Sequence, residues 1–357
     1  MAELKIGLIG GGRIGKLHGT NVQNLIPGAK ISIIADPFMN EEMEAWADSI
    51  NIPVKTKNPD DVFASDCDAV MICSSTNTHA EFIIKAAKAG KHIFCEKPIA
   101  TDIAAIKEAL AVVAEAGVKL QVGFVRRFDF NHKAVRDVVA SGKLGRPYVV
   151  KVTSRDPAGP PMSYIAVSGG IFMDMMIHDF DMVRYLSGSD VVEVNTVGAV
   201  LTDPDYAKYG DVDTAIVTLK FENGAIGVID NCRTAPYGYD QRVEVHCEKG
   251  CVQDNNHLNN EAFVSTADAV ESAVPTYFFL ERYNDAFVKE VTAFVDAIVN
   301  DTEVPVNGKD GLEPVRIAAA AGLSLKEGRP VKLSEIEAYR GKIETQSRYD
   351  RVTIETR

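Results

Sequence analysis

Short apolar runs alternate with amphipathic stretches through the first 125 residues. Residues 4–10 (LKIGLIG) predict a strand ending in a glycine-rich turn, and 15–26 predict a helix. Residues 30–36 (KISIIAD) predict a second strand and 41–50 a second helix. Two further strands are predicted at 68–73 (DAVMIC) and 91–95 (KHIFC), with apolar residues at helical spacing over 78–89 between them. A helix over 101–116, capped by Thr101 or Asp102, leads into a strand at 119–124 (KLQVGF). Short apolar strands alternating with amphipathic helices predict a parallel, doubly wound sheet.

After about residue 145 the pattern changes. Strand-like runs at 148–154, 191–200, 214–221, 225–232 and 241–248 mostly alternate apolar and polar positions, and Asn223-Gly224 between two of them is a hairpin signal. Helices are predicted near 170–187, 281–300 and 310–327. The expectation is an α/β chain of two domains. Residues 1–125 form the parallel-sheet domain. Residues 126–357 form an α+β domain on an open, largely antiparallel sheet, ending in an extended polar arm of about twenty residues.

Composition narrows the function. The 357 residues carry a net charge of −12 and 46% hydrophobic residues, an ordinary globular balance. An acidic chain is a poor partner for nucleic-acid phosphates, and no apolar run approaches the roughly 20 residues of a membrane-spanning helix. With a strand predicted directly behind the N-terminus and no leader pattern there, a cytoplasmic protein is expected. The six cysteines form no Cys-x-x-Cys pair and read as small apolar residues.

Gly10-Gly11-Gly12-Arg13-Ile14-Gly15 matches G-x-G-x-x-G in its confirming context, between a predicted strand and a predicted helix. Gly10, Gly12 and Gly15 permit the tight turn and the close approach of backbone to a pyrophosphate, and Arg13 and Ile14 complete the helix start. Asp36 ends the second strand about 20 residues on, where a carboxylate accepts from the adenosine ribose. Pro37 and Phe38 follow it, with no Arg for a 2′-phosphate, so NAD is expected over NADP.

Two features carry candidate chemistry. Glu96-Lys97-Pro98 follows the strand predicted at 91–95, at the edge where such sheets bind ligands, so Glu96 and Lys97 border the cofactor crevice. A lysine sheltered there suits acid–base work. The apolar helix predicted over 171–185 carries a stripe of Asp174, His178, Asp181 and Tyr185. Buried polar groups are costly unless paired or used. An Asp one turn before a His fixes the imidazole as a general base needs. The alternatives are a structural hydrogen-bonded stripe or a metal site, and no recognisable ligand set completes the latter. No metal is expected. The remaining histidines, His18 and His79 among them, read as structural or surface residues.

These segments together resemble the Gfo/Idh/MocA oxidoreductase family over nearly the whole chain. The carriers are IGGGRIG at 9–15, EKP at 96–98, GFVRRFD at 123–129 and GGxxxDxxxHD at 169–179. RRFD, YGYDQR at 237–242 and FFLERY at 278–283 resemble its inositol 2-dehydrogenase branch. The resemblance implies that Lys97, Asp174 and His178 are catalytic. It also implies that these three, with Asp156 and Tyr237, contact a cyclic polyol or sugar, and that Lys97–Pro98 is cis. It further implies NAD-dependent oxidation, with myo-inositol as the leading substrate, and a homotetramer joined through the second domain's sheet. Arg155-Asp156-Pro157 departs from the expected polar pair and leaves other inositol epimers and pyranose sugars in play. Two rivals share the fold, an NAD-dependent glycosidase and a non-catalytic NAD sensor.

Overall fold

The computed structural model describes residues 3–338, so the expected terminal arm lies outside the described residues. Contacts divide the chain into two compact units. One comprises residues 3–128 together with 285–313, and the other comprises 129–284 and 314–338. The sequence pattern placed one boundary at 125.

The first unit holds strands β1 (Leu4–Ile9), β2 (Ala29–Ala35), β3 (Val54–Thr56), β4 (Ala69–Ile72), β5 (His92–Glu96) and β6 (Leu120–Gly123). They form one all-parallel sheet in the order β3-β2-β1-β4-β5-β6. The order reverses between β1 and β4, the switch point where doubly wound sheets bind ligands. Helices α1 (Arg13–Leu25), α2 (Glu41–Ser49), α3 (Asp60–Ala64), α4 (Thr76–Lys88) and α5 (Ile103–Ala116) make the crossovers. Asp102 is the cap of α5, accepting from the Ala104 N–H at 2.9 Å, and Gly117 closes the helix at φ +65°.

In the second unit, α6 (Phe130–Ala140) precedes β7 (Pro147–Arg155). Next come α7 (Met162–Ser168), α8 (Gly170–Asp174) and α9 (Ile177–Ser187). Strands β8 (Val191–Ala199), β9 (Thr214–Phe221), β10 (Ile226–Cys232), β11 (Asp240–Cys247) and β12 (Gly250–Asp254) follow. A small hairpin, β13 (Phe263–Ser265) and β14 (Val270–Ser272), leads to α10 (Phe279–Arg282), α11 (Asn284–Val299), α12 (Gly308–Glu327) and β15 (Val331–Lys332). The large sheet runs β12-β11-β7-β10-β9-β8-β15, with β7 and β10 its only parallel pair. Asn223-Gly224 makes the turn between β9 and β10, Gly224 at φ +85°. Alternation buries Val217, Leu219 and Ile229 on one face and leaves Val197, Ile216 and Ile226 exposed.

Most of α11 belongs with the first unit for a physical reason. Val291, Phe294 and Val295 share its core with Ile6, Leu8 and Ile31. The Gln121 side chain donates to the Glu290 carbonyl at 2.7 Å, and the Val122 N–H donates to the Val306 carbonyl at 3.0 Å.

Candidate active site

The loop after β1 has the geometry of an anion cradle. Gly10 sits at φ +98°, and a side chain there would strike the Cys73 carbonyl after β4 at 2.5 Å. A Cβ on Gly15 would lie 1.9 Å from the Gly10 carbonyl oxygen, so the first turn of α1 closes on the loop only with glycine. A Cβ on Gly12, by contrast, meets nothing within 4 Å. Gly12 and Arg13 are exposed and Ile14 half-buried, so the start of α1 opens outward with its N–H dipoles. This open cradle fits a dinucleotide's phosphates. The Asp36 carboxylate accepts from the Gly11 N–H at 2.7 Å and from the Phe38 N–H at 2.8 Å, and so braces the loop.

Lys97 follows β5 and is half-buried, and the Lys97–Pro98 peptide bond is cis. His79 lies under this turn, its ring nitrogens 2.8 Å from the Pro98 carbonyl oxygen and 2.9 Å from that of Ser74. The loops after β4 and β5 are thereby tied together. Beside Lys97, Glu96 pairs with the fully buried His18 Nε2 at 2.8 Å, and a Glu290 oxygen lies 3.9 Å from the same nitrogen. Burial, then the charge of Glu96, hold the Glu290 carboxyl well above its ordinary value. His18 therefore has carboxyl partners distant in sequence, which its local neighbours gave no sign of.

In the second unit the expected single helix is interrupted. It runs as α8 and α9 with Met175 and Met176 between them, because the Met176 N–H donates to the Ile171 carbonyl at 2.8 Å, five residues back. Such a local widening of helical pairing is a π-type irregularity. Asp174 and His178 flank it and are half-buried, whereas Asp179 and Asp181 are buried. Asp181, of the predicted stripe, is thus more deeply buried than Asp174 and His178. Asp179 is instead a structural acceptor, 2.7 Å from Asn231 Nδ2.

Asp174 is held by residues that the sequence did not flag. The Tyr164 hydroxyl donates to Oδ1 at 2.8 Å, and Arg233 Nη1 lies 3.0 Å from Oδ2. Arg233 is 1% exposed and also faces Asp211 at 3.6 Å, while Asp211 accepts from the Ile171 N–H at 2.9 Å. Burial opposes the guanidinium's charge, but Asp174 and Asp211 outweigh it and raise the pKa.

Tyr237 is 44% exposed, donates to Asp240 at 2.6 Å and accepts from Arg155 Nη1 at 3.1 Å. Arg155 also pairs with Asp230, and Asp156 follows it half-buried. Asp129 of the family-branch segment RRFD and Arg282 of FFLERY form a scaffold within the second unit. Asp129 caps α6 and pairs with the buried Arg282, which also lies 3.4 Å from Asp254. His132 joins these two carboxylates in a cluster of ligand-type groups, but the guanidinium already supplies its positive charge. In the first unit, Arg127 pairs with Asp310 at 2.9 Å.

Residues 4–124 match the family model described as an oxidoreductase family with an NAD-binding Rossmann fold, and residues 132–253 match the GFO/IDH/MocA C-terminal domain. The chain is 49% identical over 336 residues to an uncharacterized oxidoreductase, YrbE, of Bacillus subtilis, covering 94% of this chain and 98% of that protein. It is 43% identical over 334 residues to a myo-inositol 2-dehydrogenase of Thermotoga maritima, covering 93% and 99%. Among solved structures it resembles the scyllo-inositol dehydrogenase of Lactobacillus casei with bound NAD(H) and scyllo-inositol. That match has a TM-score of 0.87 at 31% identity and covers 93% of this chain and 99% of the other.

Proposed function

The chain belongs to the Gfo/Idh/MocA family of NAD-binding oxidoreductases, and on that premise we propose that it oxidises a ring carbinol of inositol to the ketone, with myo-inositol its preferred substrate. The observation that carries the reading is the 43% identity to a myo-inositol 2-dehydrogenase across 93% of this chain. The product from myo-inositol is 2-keto-myo-inositol. NAD, when bound, supplies the hydride acceptor.

The chain's own residues hold and deprotonate the substrate. Gly10, Gly12, Arg13, Ile14 and Gly15 present the start of α1 to the pyrophosphate, Asp36 faces the adenosine ribose, and Glu96 and Lys97 border the nicotinamide end. His178, oriented by Asp174, takes the hydroxyl proton through its imidazole. Lys97 Nζ hydrogen-bonds the same oxygen and stabilises the charge that builds on it. Asp156 and Tyr237 contact the remaining ring hydroxyls. The exposed apolar side chains of β8, β9 and β10 support assembly as a homotetramer through that sheet face. Dependence on NAD fits a cytoplasmic setting, and no described helix is long and apolar enough to cross a membrane.

An initial-rate screen across inositol epimers and aldoses, with NAD and NADP in parallel, tests this. Myo-inositol with NAD is expected to give the highest kcat/KM. A phosphate about 4 Å from Asp36 costs about 4 kcal/mol at an effective dielectric near 20, roughly a 10³-fold preference against NADP. Hydrolysis of glycosides without net cofactor reduction, or cofactor binding with no turnover on any polyol, would overturn the proposal.

A further inference from the structure

We infer that Tyr164 and Arg233 are positioning residues for the proton-handling step, clamping the Asp174 carboxylate in the orientation that serves His178. The inference rests on the roles just proposed for Asp174 and His178. Three observations carry it. First, each oxygen of Asp174 has its own donor, the Tyr164 hydroxyl at 2.8 Å and Arg233 Nη1 at 3.0 Å, so the carboxylate plane is fixed from two directions. Second, Arg233 is buried to 1% exposure, and its Nε and Nη2 make no hydrogen bond among the described residues. A guanidinium taken out of water with most of its donors unused is expensive to keep for stability alone. Among the described residues its one hydrogen-bonded acceptor is Asp174. Third, the clamp is anchored to the segment that carries Asp174. Asp211 faces Arg233 at 3.6 Å and accepts from the Ile171 N–H at 2.9 Å, so the guanidinium and α8 are held by the same carboxylate.

The interruption after Asp174 explains why a clamp is useful. With the Met176 N–H donating five residues back and the His178 N–H only three, to the Met175 carbonyl at 3.4 Å, regular helix geometry alone no longer fixes how Asp174 and His178 are disposed. Side-chain donors from α7 and from the end of β10 take over that task. Partial burial, then the Asp174 charge, raise the Tyr164 phenol above its ordinary value, so it stays a donor under ordinary assay conditions.

A mutant cycle on the full-length protein tests this, with turnover on myo-inositol and NAD beside NADH affinity by fluorescence titration. Tyr164→Phe removes one hydroxyl and is expected to lower kcat about tenfold, with NADH affinity changed less than twofold. In an Asp174→Ala background the same change is expected to cost less than twofold, because the acceptor is gone. Arg233→Lys should retain more turnover than Arg233→Met. Where the Arg233 variants do not fold, the Tyr164 cycle decides. A tenfold loss that persists in the Asp174→Ala background, or normal turnover of Tyr164→Phe beside a slow Asp174→Ala, overturns the clamp alone. Normal turnover of Asp174→Ala removes the role proposed for Asp174, and the clamp falls with it.

Discussion

Gly12→Ala separates what the glycine loop does for a ligand from what it does for the fold. Gly12 has φ −69°, a backbone that alanine adopts freely, and a Cβ there meets nothing within 4 Å. The cost to folding is confined to the difference between glycine and alanine at a helix cap, about 1 kcal/mol at most. A shift of no more than a few degrees in Tm follows. The new methyl nevertheless stands at the open start of α1, in the space a pyrophosphate must enter to reach the helix N–H groups. Losing one charge-assisted hydrogen bond costs about 1.5–3 kcal/mol, so NADH should bind roughly 10- to 100-fold more weakly. Gly15→Ala is the contrast, since its Cβ would lie 1.9 Å from the Gly10 carbonyl and must displace backbone. It should lower both Tm and NADH affinity. Thermal melts beside NADH fluorescence titrations make the comparison. A folded Gly12→Ala variant that binds NADH as tightly as the parent would refute the cradle.

Lys97→Met keeps most of the side-chain bulk and should lower kcat at least about 10²-fold, within the usual range for a general acid–base group. Its NADH affinity should change less than about tenfold, and a loss confined to binding would contradict the assignment. Glu290→Gln tests the buried carboxyl beside His18 and Glu96. Glu290 has its pKa raised in the folded protein by burial, then by Glu96, from an ordinary 4.5. Above the ordinary 4.5 this group holds its proton longer in the folded than in the unfolded state, so its contribution to stability falls as pH rises. Glutamine removes that loss. The variant's Tm advantage should therefore grow between about pH 5 and about pH 8, and an advantage that shrinks over that range would show the carboxyl is charged in place.

Periodicity and glycine spacing revealed most of the first unit because a parallel sheet buries both faces, leaving continuous apolar runs such as AVMI at β4. Three-residue β3 and five-residue α3 escaped, being too short to establish a period. The stripe through Asp174 and His178 was visible at helical spacing, but the break at Met175 and Met176 was not, since both are ordinary helix formers. Contacts distant along the chain left no local trace. His18 meets Glu96 after 78 residues, Arg233 meets Asp174 after 59, and Val295 returns to the core begun by Ile6. Tyr164 lies only ten positions before Asp174. A tyrosine in a short exposed helix gives no reason to look.

Direct hydride transfer from inositol to NAD is the central claim, and isotope transfer measures it most directly. The protein would be incubated with NAD and myo-inositol deuterated at the oxidised ring carbon, and the reduced cofactor analysed by mass spectrometry. The account predicts one deuterium in each NADH formed, with an equal amount of ketone and a slower rate than with unlabelled substrate. NADH free of deuterium, or ketone without NADH, would contradict it.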